Sequence, residues 1–141
     1  MQKQQGAGLI EVLVTVLILG TSLLALAALQ SKSLQYNHSA YLRSQANILA
    51  YDILDRIRIN RGAIADYSMA MADDAPTGTT TAQEDLAEWH VNLTEMLPGA
   101  DGAVECVAAT SLCTVTVQWA EQNSSGDTTE DLGSFVYTSR L

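Results

Sequence analysis

Residues 6–29 read GAGLIEVLVTVLILGTSLLALAAL, and this stretch decides the fold of the chain. From Val12 to Leu29 it contains no charge over about 18 residues, the length that a helix needs to cross the hydrocarbon core of a bilayer. Inserting so many aliphatic side chains outweighs the cost of the single carboxylate of Glu11. The sequence therefore predicts a membrane helix that keeps one acidic residue near its start.

A secretory signal peptide is the alternative interpretation of this stretch, because Lys3 supplies a short basic region before it. The apolar run is longer than that of a usual signal peptide, and no clean A-x-A site precedes a polar start, although Ala25-Leu26-Ala27 fits loosely. No cysteine directly follows the run, which excludes a lipoprotein. We therefore expect a retained anchor.

The order of Gly6, then Ala7-Gly8-Leu9-Ile10, then Glu11 and the apolar run resembles the cleavage motif of the type IV prepilin family. The resemblance implies that a prepilin peptidase cuts between Gly6 and Ala7 and that the new amine of Ala7 is N-methylated. Family members usually carry Phe-Thr where this chain has Ala7-Gly8. A carboxylate in a water-poor helix bundle needs a cationic partner, so Glu11 is expected to form an assembly salt bridge with the freed amine of a neighbouring subunit.

Within that family the chain resembles the minor pilin PilV group, the type IV pilus modification proteins. The resemblance rests on LIEVLV at 9–14, LLALAALQ at 23–30 and DRIRINR at 55–61, and it continues in TVTVQW at 114–119. It implies a subunit of the bacterial inner membrane with a periplasmic C-terminal head, which later reaches the pilus at the cell surface. The implied partners are other minor pilins, the major pilin, the prepilin peptidase and the inner-membrane assembly machinery.

The helical pattern continues beyond the apolar run to about Asn60, and Arg61-Gly62 is the expected stop, with glycine as the C-cap. Its apolar positions recur every three or four residues and predict one buried stripe. The stripe consists of Leu34, His38, Leu42, Ala46, Leu49, Ile53 and Ile57.

A second, shorter helix is predicted to begin at Thr81 to Glu84, which has the capping-box form T-x-x-E, and to end at Pro98-Gly99. We expect Trp89 on this helix to be a core residue. Three strand-like runs follow at 103–108, 113–121 and 134–140, and alternation in the middle run predicts an antiparallel sheet with one buried face.

The expected fold class is therefore α+β and type IV pilin-like, with a long N-terminal helix packed on a small antiparallel β-sheet. We divide the chain into a leader peptide at 1–6, a transmembrane or filament-core half of the helix at 7–30, a periplasmic half at 31–60, and a globular head at 61–141.

The two cysteines, Cys106 and Cys113, lie close together in a predicted strand, turn and strand. A zinc site would need four ligands, and His38 and His90 are remote in sequence. The sequence therefore predicts a Cys106–Cys113 disulfide, which requires an oxidising compartment such as the periplasm.

Other classes of function find little support. A net charge of −9 disfavours nucleic acid as a partner, and the absence of hydrolase, zinc-protease and phosphate-loop motifs disfavours an enzyme, including a membrane-tethered periplasmic one. We expect no catalytic residue, metal or cofactor. A calcium ion on Asp127, Glu130 and Asp131 is a minor alternative.

The main alternative to a minor pilin is a minor pseudopilin of a type II secretion system, which shares the leader, Glu11 and the helix.

Overall fold

The computed structural model describes residues 8–121 and 131–141 of the chain. Two compact units are present, an N-terminal unit at Met1–His38 and a second unit at Ser39–Leu141, which we call the head. Helix α1 covers Leu9–Ile59, a short 3₁₀ helix covers Arg61–Asp66, and α2 covers Thr81–Met96. Strands β1 (Asp101–Val107), β2 (Leu112–Glu121) and β3 (Asp131–Arg140) complete the head.

The N-terminal unit is helical from Leu9 onward, and its large aliphatic side chains are exposed all round the helix. The three hydroxyl groups of the apolar run from Val12 to Leu29 donate to carbonyls three or four residues earlier, from Thr15 to Val12 at 2.9 Å and from Thr21 and Ser22 to Ile18 at 3.0 and 2.7 Å. In hydrocarbon an unsatisfied polar group costs several kcal/mol. These bonds keep the apolar run compatible with a membrane.

The buried stripe of α1 is confined to the head, and the prediction that it begins at Leu34 is wrong. Leu34 is 70% exposed, and His38 is exposed as well. The heptad-like spacing marks an apolar face, but only packing against other elements buries it. The buried members are Leu42, Ala46, Leu49, Ala50, Ile53, Leu54 and Ile57.

Helix α1 ends at Ile59, close to the predicted position, but without a glycine C-cap. Asn60 donates its N–H to the carbonyls of Arg56 and Ile57, both at 3.1 Å, and the chain continues into the 3₁₀ helix that contains Gly62. Among the described residues, the glycine with a positive φ is Gly99, at 54°. The prediction that Gly62 is the C-cap is therefore wrong, because Gly62 lies inside the 3₁₀ helix and the carbonyls of Arg56 and Ile57 accept from the Asn60 N–H.

Helix α2 begins one residue earlier than predicted. Thr80, not Thr81, is the N-cap: its hydroxyl accepts the Gln83 N–H at 3.4 Å, and the Gln83 side chain accepts the Thr80 N–H at 3.4 Å. Both T-x-x-E and T-x-x-Q have the capping-box form, and the box lies one residue earlier than the sequence pattern predicts. The buried face of α2 carries Ala82, Leu86, Trp89 and Leu93, which confirms the prediction for Trp89.

The three strands form an antiparallel sheet in the order β1-β2-β3. On β2, Val115, Val117 and Trp119 are fully buried, and the side chains between them are partly exposed, as predicted. The sheet and α2 cover the head portion of α1 in one hydrophobic core. The α+β, type IV pilin-like fold expected from the sequence is thus confirmed.

Candidate functional site

Glu11 lies in the first turn of α1, where the unpaired N–H groups of a helix favour a negative charge. The side chain is exposed, and within residues 8–121 and 131–141 no cation lies within salt-bridge distance of its carboxylate. The next formally charged residue along the helix is Lys32. Glu11 is thus a single acid at the start of a long apolar surface.

Within the part of the chain that the structure describes, α1 is the helix that is long and apolar enough to span a membrane, by length and composition. None of its most apolar window is buried within the protein. An exposed aliphatic surface of this length is unfavourable in water. It needs lipid or other apolar helices around it.

Two predicted site residues cannot be placed. Gly6 and Ala7, the predicted cleavage and methylation positions, lie outside the described residues. The same holds for Asp127 and Glu130 and for the side chain of Asp131, the minor calcium alternative. Elsewhere, no group of three or more histidine, cysteine, aspartate or glutamate side chains in the described residues is placed to hold a metal ion.

Cys106 and Cys113 are joined by a disulfide, as predicted. They lie directly opposite each other on β1 and β2, with their Cα atoms 4.1 Å apart. The bridge closes a loop of about eight residues, worth about 2.5 kcal/mol in the chain-entropy model. It therefore fixes the register of this hairpin on a sheet that also packs on the core.

Arg56 is the centre of a charge network that joins carboxylates from two helices of the head. Its Nε lies 3.2 Å from the carboxylate of Asp52, one turn earlier on α1 in an i, i+4 pair. The guanidinium also meets two acids on α2, Asp85 at 3.4 Å and Glu88 at 2.7 Å. The hydroxyl of Tyr67 donates to Asp85 at 2.6 Å. The network thus connects α1, α2 and the segment between them.

The electrostatics of this network follow from its contacts. The hydrogen bond from Arg56 is the main cause that lowers the pKa of Glu88. Burial, reinforced by the bond to Asp85, raises the pKa of the Tyr67 hydroxyl to about 12. At neutral pH Glu88 and the Arg56 guanidinium are therefore charged and Tyr67 is neutral.

A second contact joins α2 to α1 in the core. Trp89 is fully buried, and its indole N–H donates to the Leu49 carbonyl at 2.9 Å. A buried indole N–H without a partner would cost about 1–3 kcal/mol. The only sequence signal for this contact was the position of Trp89 on the apolar face of α2, which predicts burial but names no acceptor.

A single apolar helix that continues into a head with a three-stranded antiparallel sheet is the fold of a type IV pilin-like protein. A sequence model of the Tt1218-like family, described as type IV pilin Tt1218, matches residues 28–122, about two thirds of the chain. The protein belongs to this type IV pilin family, which is structural rather than enzymatic. The matched region excludes Glu11 and most of the apolar run, so the match is independent of the cleavage motif at 6–11.

No curated protein and no solved structure matches the chain significantly. The family assignment therefore depends on the sequence model and the fold.

Proposed function

We propose that this chain is a minor pilin of a type IV pilus, anchored in the bacterial inner membrane before assembly. It joins other minor pilins, and at the base of the growing filament the major pilin, in a complex that primes the pilus and remains at its tip. Membership of the pilin family supports filament assembly, and the exposed apolar surface of α1 supports the membrane anchor. The PilV-like segments at 9–14, 23–30 and 55–61 support the minor-pilin assignment.

The single observation that carries this proposal is the carboxylate of Glu11, exposed in the first turn of an apolar helix and without a cation among the described residues. Cleavage between Gly6 and Ala7 would create an α-amine close to this depth on every subunit. In a packed bundle an unpaired charge costs several kcal/mol, whereas a paired one is tolerated. The proposed pairing of Glu11 with a neighbour's amine therefore acts at docking and leaves folding and insertion unchanged.

The test replaces Glu11 with alanine in a strain that lacks the native gene. We expect normal membrane levels and a mature chain that starts at Ala7 by intact mass, but few surface filaments and weak co-purification of other minor subunits. The matched control is Asp55→Ala. Asp55 is an exposed acid of α1 in the head whose partner, Arg58, is also exposed, and such pairs contribute little.

Wild-type piliation and an intact complex with Glu11→Ala would contradict the proposed role of the carboxylate. The identity of the co-purified proteins also distinguishes a minor pilin from a minor pseudopilin. Pilus subunits support a minor pilin, and components of a type II secretion system would show that the chain is a minor pseudopilin.

A further inference from the structure

A shallow groove runs along one face of α1 within the N-terminal unit. Its lower part is apolar and is formed by Ala25, Ala28 and Leu29, and its upper part carries Lys32 and Tyr36. The ammonium group of Lys32 lies 5.8 Å from the centre of the Tyr36 ring, the distance of a cation–π contact. The groove is therefore amphipathic, with an apolar part next to a cation.

The charges of the chain are segregated around this groove. From Val12 to Tyr51 the only formally charged residues are Lys32 and Arg43, and every acid except Glu11 lies at Asp52 or beyond. Arg43 has an acidic neighbour in the head, Glu121, at 3.8 Å. In the described residues no carboxylate lies within salt-bridge distance of Lys32. Within the N-terminal unit, Lys32 thus has Glu11 as its nearest acid along the helix, 21 residues away.

The spacing along the helix places this charge at a membrane surface. Glu11 and Lys32 are 21 residues apart, which corresponds to about 32 Å at 1.5 Å per residue. The hydrocarbon core of a bilayer is about 30 Å thick. When Glu11 lies at one interface, Lys32 and Tyr36 therefore lie at the headgroups of the other, where lysine and tyrosine are both favourable.

We propose that this groove binds one anionic phospholipid of the leaflet on the head side of the membrane. The phosphate contacts the Lys32 ammonium, the Tyr36 ring orients that ammonium, and an acyl chain lies along Ala25, Ala28 and Leu29. This inference rests on the proposed membrane anchoring of α1. The bound lipid would hold Lys32 at the headgroups and so set the depth of the helix in the membrane.

Charge complementarity favours a lipid over a second copy of the chain as the occupant. A second α1 at the same depth offers no acid between Val12 and Tyr51, so its charges near the groove would repel Lys32. An anionic headgroup supplies the missing negative charge, and its acyl chain covers the exposed apolar surface of Ala25, Ala28 and Leu29.

The test uses the full chain reconstituted into vesicles of equal parts phosphatidylglycerol and phosphatidylcholine with identical acyl chains. After gentle detergent extraction, native mass spectrometry counts the lipids of each class that stay bound. We expect the wild-type chain and Lys32→Arg to retain phosphatidylglycerol preferentially, and Lys32→Gln to lose this preference about fivefold, the effect of one cation near an anionic surface. The matched control is Arg43→Gln, which removes the same charge outside the groove and should change the preference little.

Resistance to alkaline carbonate extraction, measured on the same vesicles, distinguishes the membrane anchor from the lipid site. A chain that carbonate removes from the vesicles overturns both the membrane anchor and the lipid site. A chain that stays inserted but shows no preference for phosphatidylglycerol, or loses it equally with Lys32→Gln and Arg43→Gln, overturns the lipid site alone.

Discussion

At the scale of single residues, two glycines of the sheet allow bulky core side chains to approach the backbone. A Cβ atom added at Gly102 would lie 2.6 Å from both Leu93 Cδ1 and Trp89 Cη2, and one added at Gly133 would meet the indole of Trp119. Both are distances that real Cβ atoms do not adopt. These glycines are therefore required by packing rather than by a special φ angle.

We predict that Gly102→Ala lowers the free energy of unfolding by about 2 kcal/mol, because Trp89 and Leu93 must move away from rotamers held by the core. The measurement is urea unfolding of the full chain in detergent, followed by tryptophan fluorescence, since Trp89 and Trp119 are both fully buried in the head. The control is Gly62→Ala, at a site with no atom within 4 Å of the added Cβ. Equal stability of the two variants would show that Gly102 is not tightly packed.

At the scale of elements, the position of the N-cap decides where α2 begins. The carbonyl of Thr80 accepts the Glu84 N–H at 2.9 Å as the first bond of the helix, and its side chain satisfies a further orphan donor, the Gln83 N–H. Thr81 is already inside the helix. Two neighbouring threonines thus have different roles that a substitution can separate.

We predict that Thr80→Ala destabilises the head by about 1 kcal/mol, the usual effect of losing an N-cap hydroxyl. Thr81→Ala should leave the stability unchanged or raise it slightly, because alanine is a better helix former than threonine. Urea unfolding of the two variants under identical conditions makes the comparison. If Thr81→Ala were less stable than Thr80→Ala, Thr81 would be the N-cap, as the sequence pattern indicated.

At the scale of the whole molecule, the Arg56 network connects parts of the head that are distant in sequence. The Arg56 side chain is 23% exposed and serves three carboxylates, and Glu88 is the most exposed of the three, at 65%. Solvent screening therefore weakens the outer pair more than the inner one. The pKa of Glu88 is lowered in the folded state, so its pairing stabilises the head above the ordinary carboxyl pKa and is lost as the pH falls through the lowered value.

We predict that Arg56→Gln is less stable than the wild-type chain at pH 7 and that this difference shrinks below about pH 4.5, the ordinary pKa of Glu88. Once Glu88 is protonated it no longer forms an ion pair with the guanidinium. The measurement is the free energy of unfolding of both chains from pH 7 to pH 3. Arg58→Gln is the control, because its partner Asp55 is exposed. A difference for Arg56→Gln that does not change with pH would exclude a mainly electrostatic role.

The sequence by itself determined the elements of this protein. The uncharged run after Glu11 predicted the apolar helix, the alternation from Thr114 to Trp119 predicted a half-buried strand, and the cysteine spacing predicted the disulfide. The strands begin one to three residues earlier than predicted, because pairing with a neighbour extends each strand beyond its apolar pattern. Such patterns depend on neighbours within a few residues, which is why they are readable without a fold.

Only the tertiary structure decided which residues the elements bring together. In the folded chain the buried stripe begins at Leu42, Thr80 rather than Thr81 is the N-cap, and Asp85 and Glu88 lie beside Arg56. The local patterns were degenerate at each point: an apolar helix face does not say how much of it is covered, and two adjacent T-x-x-[EQ] boxes satisfy the same rule. Long-range contacts depend on how whole faces pack against each other, and that information is not contained in the spacing of any one segment.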